Sequence, residues 1–296
     1  MTYTVALGNT PHSMLIKNGT VPVPGADLTF PEIKPIYTAF APMVRELKYD
    51  FSEMAIATYL QAREAGKPIT LLPVVLNGDF HHHSITRWPG SKEMGPRDLI
   101  GQRVGVRAYT QTTGLWVRGV LKEEFGVEAD QITWITTEGP HVAEYVEPPF
   151  VERTDSTLVD LLKSGDIAAA VLGPQAIDED GAELIPVIPE VDAAERAWEE
   201  RHHTIPVNHM FTVKTEIVEN DPDAVRALYQ AFTEAIDQAR AQGVTTNRQR
   251  SISYGLNDAL LTSLEIAIRY GREQDLLRKP VTVDEIFADF RQLAGI

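Results

Sequence analysis

The sequence contains no cysteine and has few positive charges for its length. The missing cysteine excludes disulfide bonds, thiolate metal sites and cysteine nucleophiles. The chain has 27 lysines and arginines against 42 aspartates and glutamates, which gives a formal net charge of -15. Nucleic acids and anionic membranes are bound through basic surfaces, so we expect neither as a partner. An anionic ligand must be held by local groups against the overall charge.

Long hydrophobic runs, a secretory leader and the common nucleotide and hydrolase motifs are missing as well. No apolar run approaches the ~18 residues that span a bilayer. The start MTYTVALGNTPHSML lacks both a basic n-region and a long apolar h-region. We therefore expect a cytoplasmic protein, with a removed leader as the open alternative. No phosphate loop, dinucleotide fingerprint, nucleophile elbow or HExxH motif is present, which excludes the enzyme classes that these motifs mark.

The sequence does contain a regular alternation of strand and helix patterns. Its 296 residues are 43% hydrophobic, which is enough for one large domain or two smaller ones. From residue 100 onward the order is strand, helix, strand, helix, strand, which predicts a parallel sheet with right-handed crossovers. The N-terminal part alternates in the same way. The last part is helical: Pro222 suits the first turn of one helix, and Thr282 with Glu285 forms a capping box for another.

These patterns predict an α/β protein of two lobes with a helical C-terminal segment. We expect the first lobe to combine residues 1–86 with residues 208–296, because a late strand near residue 208 can carry the chain back to it. Residues 87–207 are expected to form the second lobe. Open α/β sheets bind ligands at the carboxyl ends of their strands. The ligand is therefore expected in a cleft between the lobes.

The stretch IGQRVGVRAYTQTTGLWVRGVLK, residues 100–122, reads as a buried strand, a polar turn and a helix in succession. Hydroxyl and amide side chains converge there with the unpaired N–H groups of a helix start, which together suit a carboxylate. The alternative is an ordinary capped helix, since any fold needs capping groups. The residues predicted to bind substrate in this stretch are Thr110, Gln111, Thr112, Thr113 and Trp116.

Histidines are the second group of candidate residues. On an extended backbone His81 and His83 face one way and His82 the other, so two imidazoles can share a cleft wall. They could transfer protons near neutral pH, bind a divalent metal with a carboxylate from elsewhere, or form a solvated cluster. His209 lies where the late strand passes the cleft, and it either faces the ligand or is a core histidine. We predict His83, His209 and His81 as catalytic residues.

Further candidates follow strand ends or the histidine run. Arg87 comes shortly after the histidines, and its guanidinium can bind a carboxylate with two hydrogen bonds. Polar residues at the end of a first strand are placed where α/β sheets bind ligands. The remaining predicted substrate-binding residues are Asn9, Thr10, Ser52, His82, Arg87 and Gly173.

Three segments resemble the 4,5-dihydroxyphthalate decarboxylase family. They are RVGVRAYTQTTGLWVRGVLKEEFGV, HTIPVNHMFTVKTEIVENDP and AIRYGREQDLLRKPVTVDEIFA. The resemblance implies a type II periplasmic-binding-protein-like fold and a cofactor-independent, non-oxidative loss of carbon dioxide from a hydroxylated aromatic acid. It also matches His83 and Ser84 to the family's His-Ser pair, and His209 to a histidine before the returning strand. His82 departs from the family pattern, which has an arginine there, and the loop over residues 138–153 differs too.

The leading hypothesis is a decarboxylase that acts on a small aromatic carboxylate without a cofactor, with His83 as the proton donor. A solute-binding protein of an ABC transporter for a small organic anion is one alternative. A lyase of the menaquinone-precursor type, which resembles the same fold, is another. The sequence leaves open a divalent metal at the histidine run and assembly into a homo-oligomer.

Overall fold

The computed structural model describes residues 1–172, 183–243 and 246–295, and within them the chain forms two six-stranded sheets. The strands are β1 (Thr2–Ala6), β2 (Asp27–Thr29), β3 (Phe51–Ala55), β4 (Ile69–Gly78), β5 (Ile85–Arg87), β6 (Arg103–Val106), β7 (Thr133–Thr136), β8 (Val151–Arg153), β9 (Ala169–Val171), β10 (Ile185–Pro186), β11 (Val207–Lys214) and β12 (Ser253–Tyr254).

Helices cover both sheets. In chain order they are α1 (Pro11–Lys17), α2 (Phe40–Glu46), α3 (Ile56–Glu64), α4 (Thr112–Phe125), α5 (Leu158–Ser164), α6 (Val191–His202), α7 (Thr215–Asn220), α8 (Pro222–Arg240), α9 (Asn247–Ser251), α10 (Asp258–Glu273) and α11 (Val283–Ala294). In the described parts of the chain, no helix has both the length and the apolar character needed to cross a membrane.

Each sheet is mixed. The first has the order β12-β4-β11-β3-β1-β2, in which β11 runs antiparallel to both of its neighbours. The second has the order β10-β5-β9-β6-β7-β8, in which β6 to β9 are parallel as predicted and β5 is antiparallel. The chain leaves the first sheet after Gly78, enters the second at Ile85 and returns at Val207. The predicted lobe boundary at residue 86 thus falls inside β5.

Helix α4 packs between elements of both sheets. Nine of its residues are buried, among them Trp116, Arg118 and Gly119. The Trp116 indole N–H donates to the carbonyl of Val207 at 2.9 Å, which joins the helix to β11. Gly119 packs so closely against α10 that an added Cβ would overlap the ring of Tyr270. The residue without a side chain is what allows this approach.

A carboxylate on α4 is bonded by two other helices. Glu123 accepts hydrogen bonds from His202 at 2.6 Å, Arg269 at 2.7 Å and Tyr270 at 2.8 Å, and it pairs with Arg201 at 3.0 Å. Although burial works against ionisation, these donors lower the pKa of Glu123 to about 2. The charged carboxylate therefore ties α4 to α6 and α10.

Candidate active site

Strand β3 carries one carboxylate, that of Glu53, which lines a cavity. Its five residues are all buried, and neighbouring side chains on a strand point to opposite faces. Glu53 and His209 lie on the same face of the β3 and β11 pair, where Glu53 Oε1 and His209 Nδ1 are 2.6 Å apart. Ser52 points the other way and donates to the carbonyl of Glu53. Glu53 therefore lines that cavity and the predicted residue Ser52 does not, so the role of Ser52 as a substrate contact stays a prediction.

The imidazole of His209 is held rigidly. Burial opposes ionisation of Glu53, but the hydrogen bond to His209 and the one from the Gly8 amide keep the pKa of the carboxyl below its usual value. Phe40 packs edge-on against the imidazole with the ring centres 5.1 Å apart. Among the described residues, Nε2 of His209 has no hydrogen-bond partner. The ring therefore offers one free nitrogen in a fixed position.

A first cavity of about 510 Å³ lies beside this pair. The end of β1 and the start of α1 form part of its wall, so the predicted residues Asn9 and Thr10 both line it. Thr10 also caps α1 and contacts His12 Nε2 at 3.0 Å. Burial lowers the pKa of His12 to about 4, so this imidazole is neutral at pH 7. Asn9 accepts a hydrogen bond from Lys17 at 2.7 Å.

The three consecutive histidines form a turn, in contrast to the extended backbone that the sequence suggested. His82 begins a single turn of 3-10 helix, is fully buried and lies 3.5 Å from Glu124 on α4. His82 lines neither of the two cavities, so its role in substrate binding stays a prediction that this placement does not support. His81 and His83 both line a second cavity of about 330 Å³. The turn, and not strand alternation, brings them to one wall.

His81 and His83 have opposite protonation tendencies. Burial, together with the charges of His83 and His82, lowers the pKa of His81 to about 3, so its imidazole stays neutral. His83 Nδ1 is 3.0 Å from Glu195 Oε1 on α6, and this hydrogen bond raises the pKa of His83 against the effect of burial. The His83 side chain keeps 33% of its surface exposed. His83 is thus the imidazole that can hold a proton at neutral pH and release it into the second cavity.

The start of α4 contributes two of the residues predicted there. Gln111 and Thr113 line the second cavity. Thr110 is buried, and its hydroxyl has no hydrogen-bond partner among the described residues. Thr112 accepts a hydrogen bond from the backbone N–H of Ala57 at 3.1 Å and joins α4 to α3. The predicted hydroxyl cluster is therefore divided between the cavity and the packing of the helix.

Three other predicted residues need separate comment. Arg87 donates to the carbonyl of Ser91 at 3.3 Å and lines neither cavity, so the structure does not bring it together with the histidines, and its binding role stays a prediction. Trp116 is fully buried with its indole N–H bonded to β11, which makes it a packing residue. Gly173 lies outside the described residues.

The two cavities adjoin. Residues close together in the chain line different cavities. The first cavity is lined by Ile36, Asn77 and His209, and the second by Tyr37, Asp79 and Asn208. Arg248 on α9 lines both. A small ring placed at their junction would have the His209 pair on one side and the His83 pair on the other.

Several of these groups escaped the sequence analysis as predicted site residues. Glu53 had a weak signal, since it lies next to the predicted Ser52. No sequence signal marked the other three residues. Glu195 and Arg248 are far from the three consecutive histidines in sequence, and Asp79 follows Asn77 and Gly78 in what the sequence suggests is a turn. Within residues 1–172, 183–243 and 246–295, no three His, Asp or Glu side chains are arranged to hold a metal ion.

No protein-family model matches the chain. The 4,5-dihydroxyphthalate decarboxylase of Comamonas testosteroni is 30% identical over 241 residues, which cover 77% of this chain and 72% of that protein. The enzyme of the same name from Pseudomonas putida is 30% identical over 182 residues, which cover 58% of this chain and 70% of that protein. Both relatives support a decarboxylase of that type.

Solved structures identify the fold. The alkanesulfonate-binding protein SsuA from Xanthomonas axonopodis pv. citri, bound to MOPS, superposes with a TM-score of 0.61 at 14% identity and covers 96% of this chain and 97% of that one. A cysteine-to-serine variant of DszB in complex with biphenyl-2-sulfinic acid gives a TM-score of 0.63 at 17% identity, with 99% of each chain covered. At such identities the likeness concerns the fold alone. The fold is α/β and of the type II periplasmic-binding-protein kind, as predicted.

Proposed function

Because the chain belongs to the 4,5-dihydroxyphthalate decarboxylase family, we propose that it is a carboxy-lyase that removes carbon dioxide from a hydroxylated aromatic acid without oxidation and without a cofactor. The observation that carries this proposal is the His83 and Glu195 pair, which presents a proton to a cavity that also contains a guanidinium. The small aromatic carboxylate would bind at the junction of the two cavities.

Loss of carbon dioxide from an aromatic ring requires a proton on the carbon that carries the carboxylate. In the proposed step this proton moves from Nε2 of His83 to the ring carbon, since Nδ1 is occupied by Glu195. The bond from that carbon to the carboxylate then breaks, its electron pair returns to the ring, and carbon dioxide leaves. His83 regains its proton from solvent. From 4,5-dihydroxyphthalate the product would be 3,4-dihydroxybenzoate.

The second pair suits the opposite proton transfer. In 4,5-dihydroxyphthalate each carboxylate is para to a hydroxyl group, so removal of the hydroxyl proton pushes electron density toward the carbon to be protonated. Glu53 is ionised and fixes Nδ1 of His209, which leaves Nε2 to accept that proton and to return it after carbon dioxide has left. An acid and a base in adjoining cavities therefore match the two ends of one ring.

The fold alone favours a second candidate function, capture of an organic anion for a transporter, because SsuA is a binding protein of this fold. Binding an anion requires cations and N–H donors. It does not require two imidazoles that are each bonded to a buried carboxylate. These pairs support the catalytic proposal over simple capture.

The test of the proposal is incubation of the purified protein with 4,5-dihydroxyphthalate. We expect many equivalents of carbon dioxide per protein, together with 3,4-dihydroxybenzoate identified by chromatography. Phthalate, which lacks the hydroxyl groups, serves as the control and should be returned unchanged. Stoichiometric retention of the acid with no carbon dioxide released would favour the transport function instead.

Replacing Glu195 with glutamine should move the alkaline limb of the pH profile to lower pH. The protonated form of His83 is the active one, and Glu195 raises its pKa above the ordinary 6.5. Wild-type activity should therefore be lost as the pH rises through that raised pKa, and Glu195→Gln should lose it earlier. The measurement is kcat/KM as a function of pH. Glu200→Gln, at an exposed position of the same helix, is the control and should leave the limb in place.

A further inference from the structure

Arg248 is the one described residue with a lysine or arginine side chain that lines both cavities. The other arginine of the first cavity, Arg240, already donates to the carbonyl of Ile252 and lies 3.9 Å from Asp237. The guanidinium of Arg248 makes no hydrogen bond or ion pair with the residues that the structure describes. In a chain with a net charge of -15, an unpaired cation inside the cleft is an unusual local feature.

The short helix that carries Arg248 is anchored on both sides. Ser251 donates to the carbonyl of Gly78 at 2.8 Å, which fastens the end of α9 to β4. Arg250 forms an ion pair with Glu199 on α6. Because Glu195 and Glu199 are four residues apart, they lie on the same face of α6. One helix face therefore positions both His83 and the segment that presents Arg248.

Within the described parts of the chain, the charged groups near Arg248 do not bond to its guanidinium, which therefore remains available to a ligand. Asp79 is the carboxylate that lines the second cavity, and it accepts a hydrogen bond from the Phe80 amide at 2.9 Å. Burial raises the pKa of Asp79, and the nearby charge of Arg248 partly offsets this, but no hydrogen bond or ion pair joins the two side chains among the described residues. The other residues of that cavity with titratable side chains are Tyr37, His81 and His83, and none of them carries a carboxylate. Glu53, the carboxylate of the first cavity, is bonded to His209 and Gly8. Arg248 therefore has no directly bonded carboxylate among the described residues, and we expect the substrate to supply one.

We propose that Arg248 binds the carboxylate that the substrate retains, and that it thereby selects aromatic acids with two adjacent carboxylates over acids with one. This inference rests on the proposed function, because it assigns the carboxylate that is lost to His83. When that group is placed at His83, the ortho carboxylate is directed to the same cavity, where a guanidinium can hold it with two parallel hydrogen bonds. Arg248 acts as a specificity-determining residue.

The test measures binding by calorimetry with unreactive acids, namely phthalate with two adjacent carboxylates and benzoate with one. We expect Arg248→Gln to weaken phthalate binding by on the order of 10- to 100-fold and to change benzoate binding little, because the lost hydrogen bonds are those to a charged group. The phthalate affinity of Arg248→Lys should lie between those of the wild-type protein and Arg248→Gln, since an ammonium keeps the charge but cannot donate two parallel hydrogen bonds. Arg272→Gln is the matched control, because Arg272 is exposed in a surface groove between α10 and α11 and lines neither cavity.

Three outcomes would overturn the inference: no phthalate binding by the wild-type protein, equal phthalate affinity in Arg248→Gln, or an equal loss for both acids. Melting temperatures show whether Arg248→Gln folds. If it does not, the phthalate and benzoate affinities of Arg248→Lys are compared with those of the wild-type protein instead. The proposed function fails separately, when wild-type protein releases no carbon dioxide from 4,5-dihydroxyphthalate. A variant with unchanged KM for 4,5-dihydroxyphthalate would refute the inference and leave the proposed function standing.

Discussion

Replacing His83 with glutamine is expected to slow the release of carbon dioxide from 4,5-dihydroxyphthalate by about 10²- to 10⁴-fold, the usual contribution of a positioned general acid. Glutamine can still donate a hydrogen bond to Glu195, so the local structure should survive while the transferable proton is lost. The loss should appear in the single-turnover rate and leave the affinity for phthalate almost unchanged. Rapid-quench measurement of the product gives this rate directly.

The control for this substitution is another histidine. His203 is exposed and has a positive φ of 54°, which asparagine tolerates. His203→Asn should therefore release carbon dioxide at the wild-type rate. A wild-type rate in His83→Gln would place the acid elsewhere. Asp79 would then be the next candidate, because it lines the same cavity and burial raises its pKa.

Replacing Gly119 with alanine should destabilise the protein by about 3 kcal/mol or more, at the upper end of the cost of overpacking a core. In an exposed helix the same change would stabilise by roughly 1 kcal/mol, so the sign of the result is informative. The added Cβ would overlap the ring of Tyr270, which is fully buried and cannot turn aside freely. Urea unfolding, analysed for both midpoint and slope, measures the change.

Two further variants isolate the cause. Gly139→Ala is the matched control, because a Cβ there would meet only the far end of Arg153, at 3.8 Å, and it should alter the free energy of unfolding little. In a Tyr270→Leu background the clash is relieved, so the additional cost of Gly119→Ala should shrink. An equal cost of Gly119→Ala with tyrosine or leucine at position 270 would mean that the overlap is not its origin.

Features that depend on local sequence were predictable. The capping box of Thr282 and Glu285 begins α11 as predicted, and Pro222 is the first residue of α8. Residues 69–76 are almost all apolar, which is typical of a buried strand, and they lie in β4, whose residues are buried from Ile69 to Leu76. The alternation of strand and helix after residue 100 places β6, β7 and β9 side by side in parallel. Local chemistry determines where each of these elements begins or how it pairs.

The site could be predicted only in part, because tertiary packing decides it. Alternation alone could not choose between Ser52 and Glu53, since β3 is buried on both faces. The turn at His82 replaced the expected strand geometry. Glu195 is 112 residues from His83 in the sequence, and no sequence pattern near either residue predicts their hydrogen bond.

Helix α4 also bears on how small molecules enter and leave. Its bonds reach β11 through Trp116, α3 through Thr112 and α10 through Glu123. Swinging the two sheets apart about a hinge would break these bonds together, including those that the half-buried Glu123 carboxylate accepts from Arg269 and Tyr270. A solute-binding protein of a transporter benefits from such a hinge motion, because it must bind its ligand and later release it. Because a hinge motion in this chain would break all of these bonds at once, we expect its two sheets to stay together while acid and product exchange.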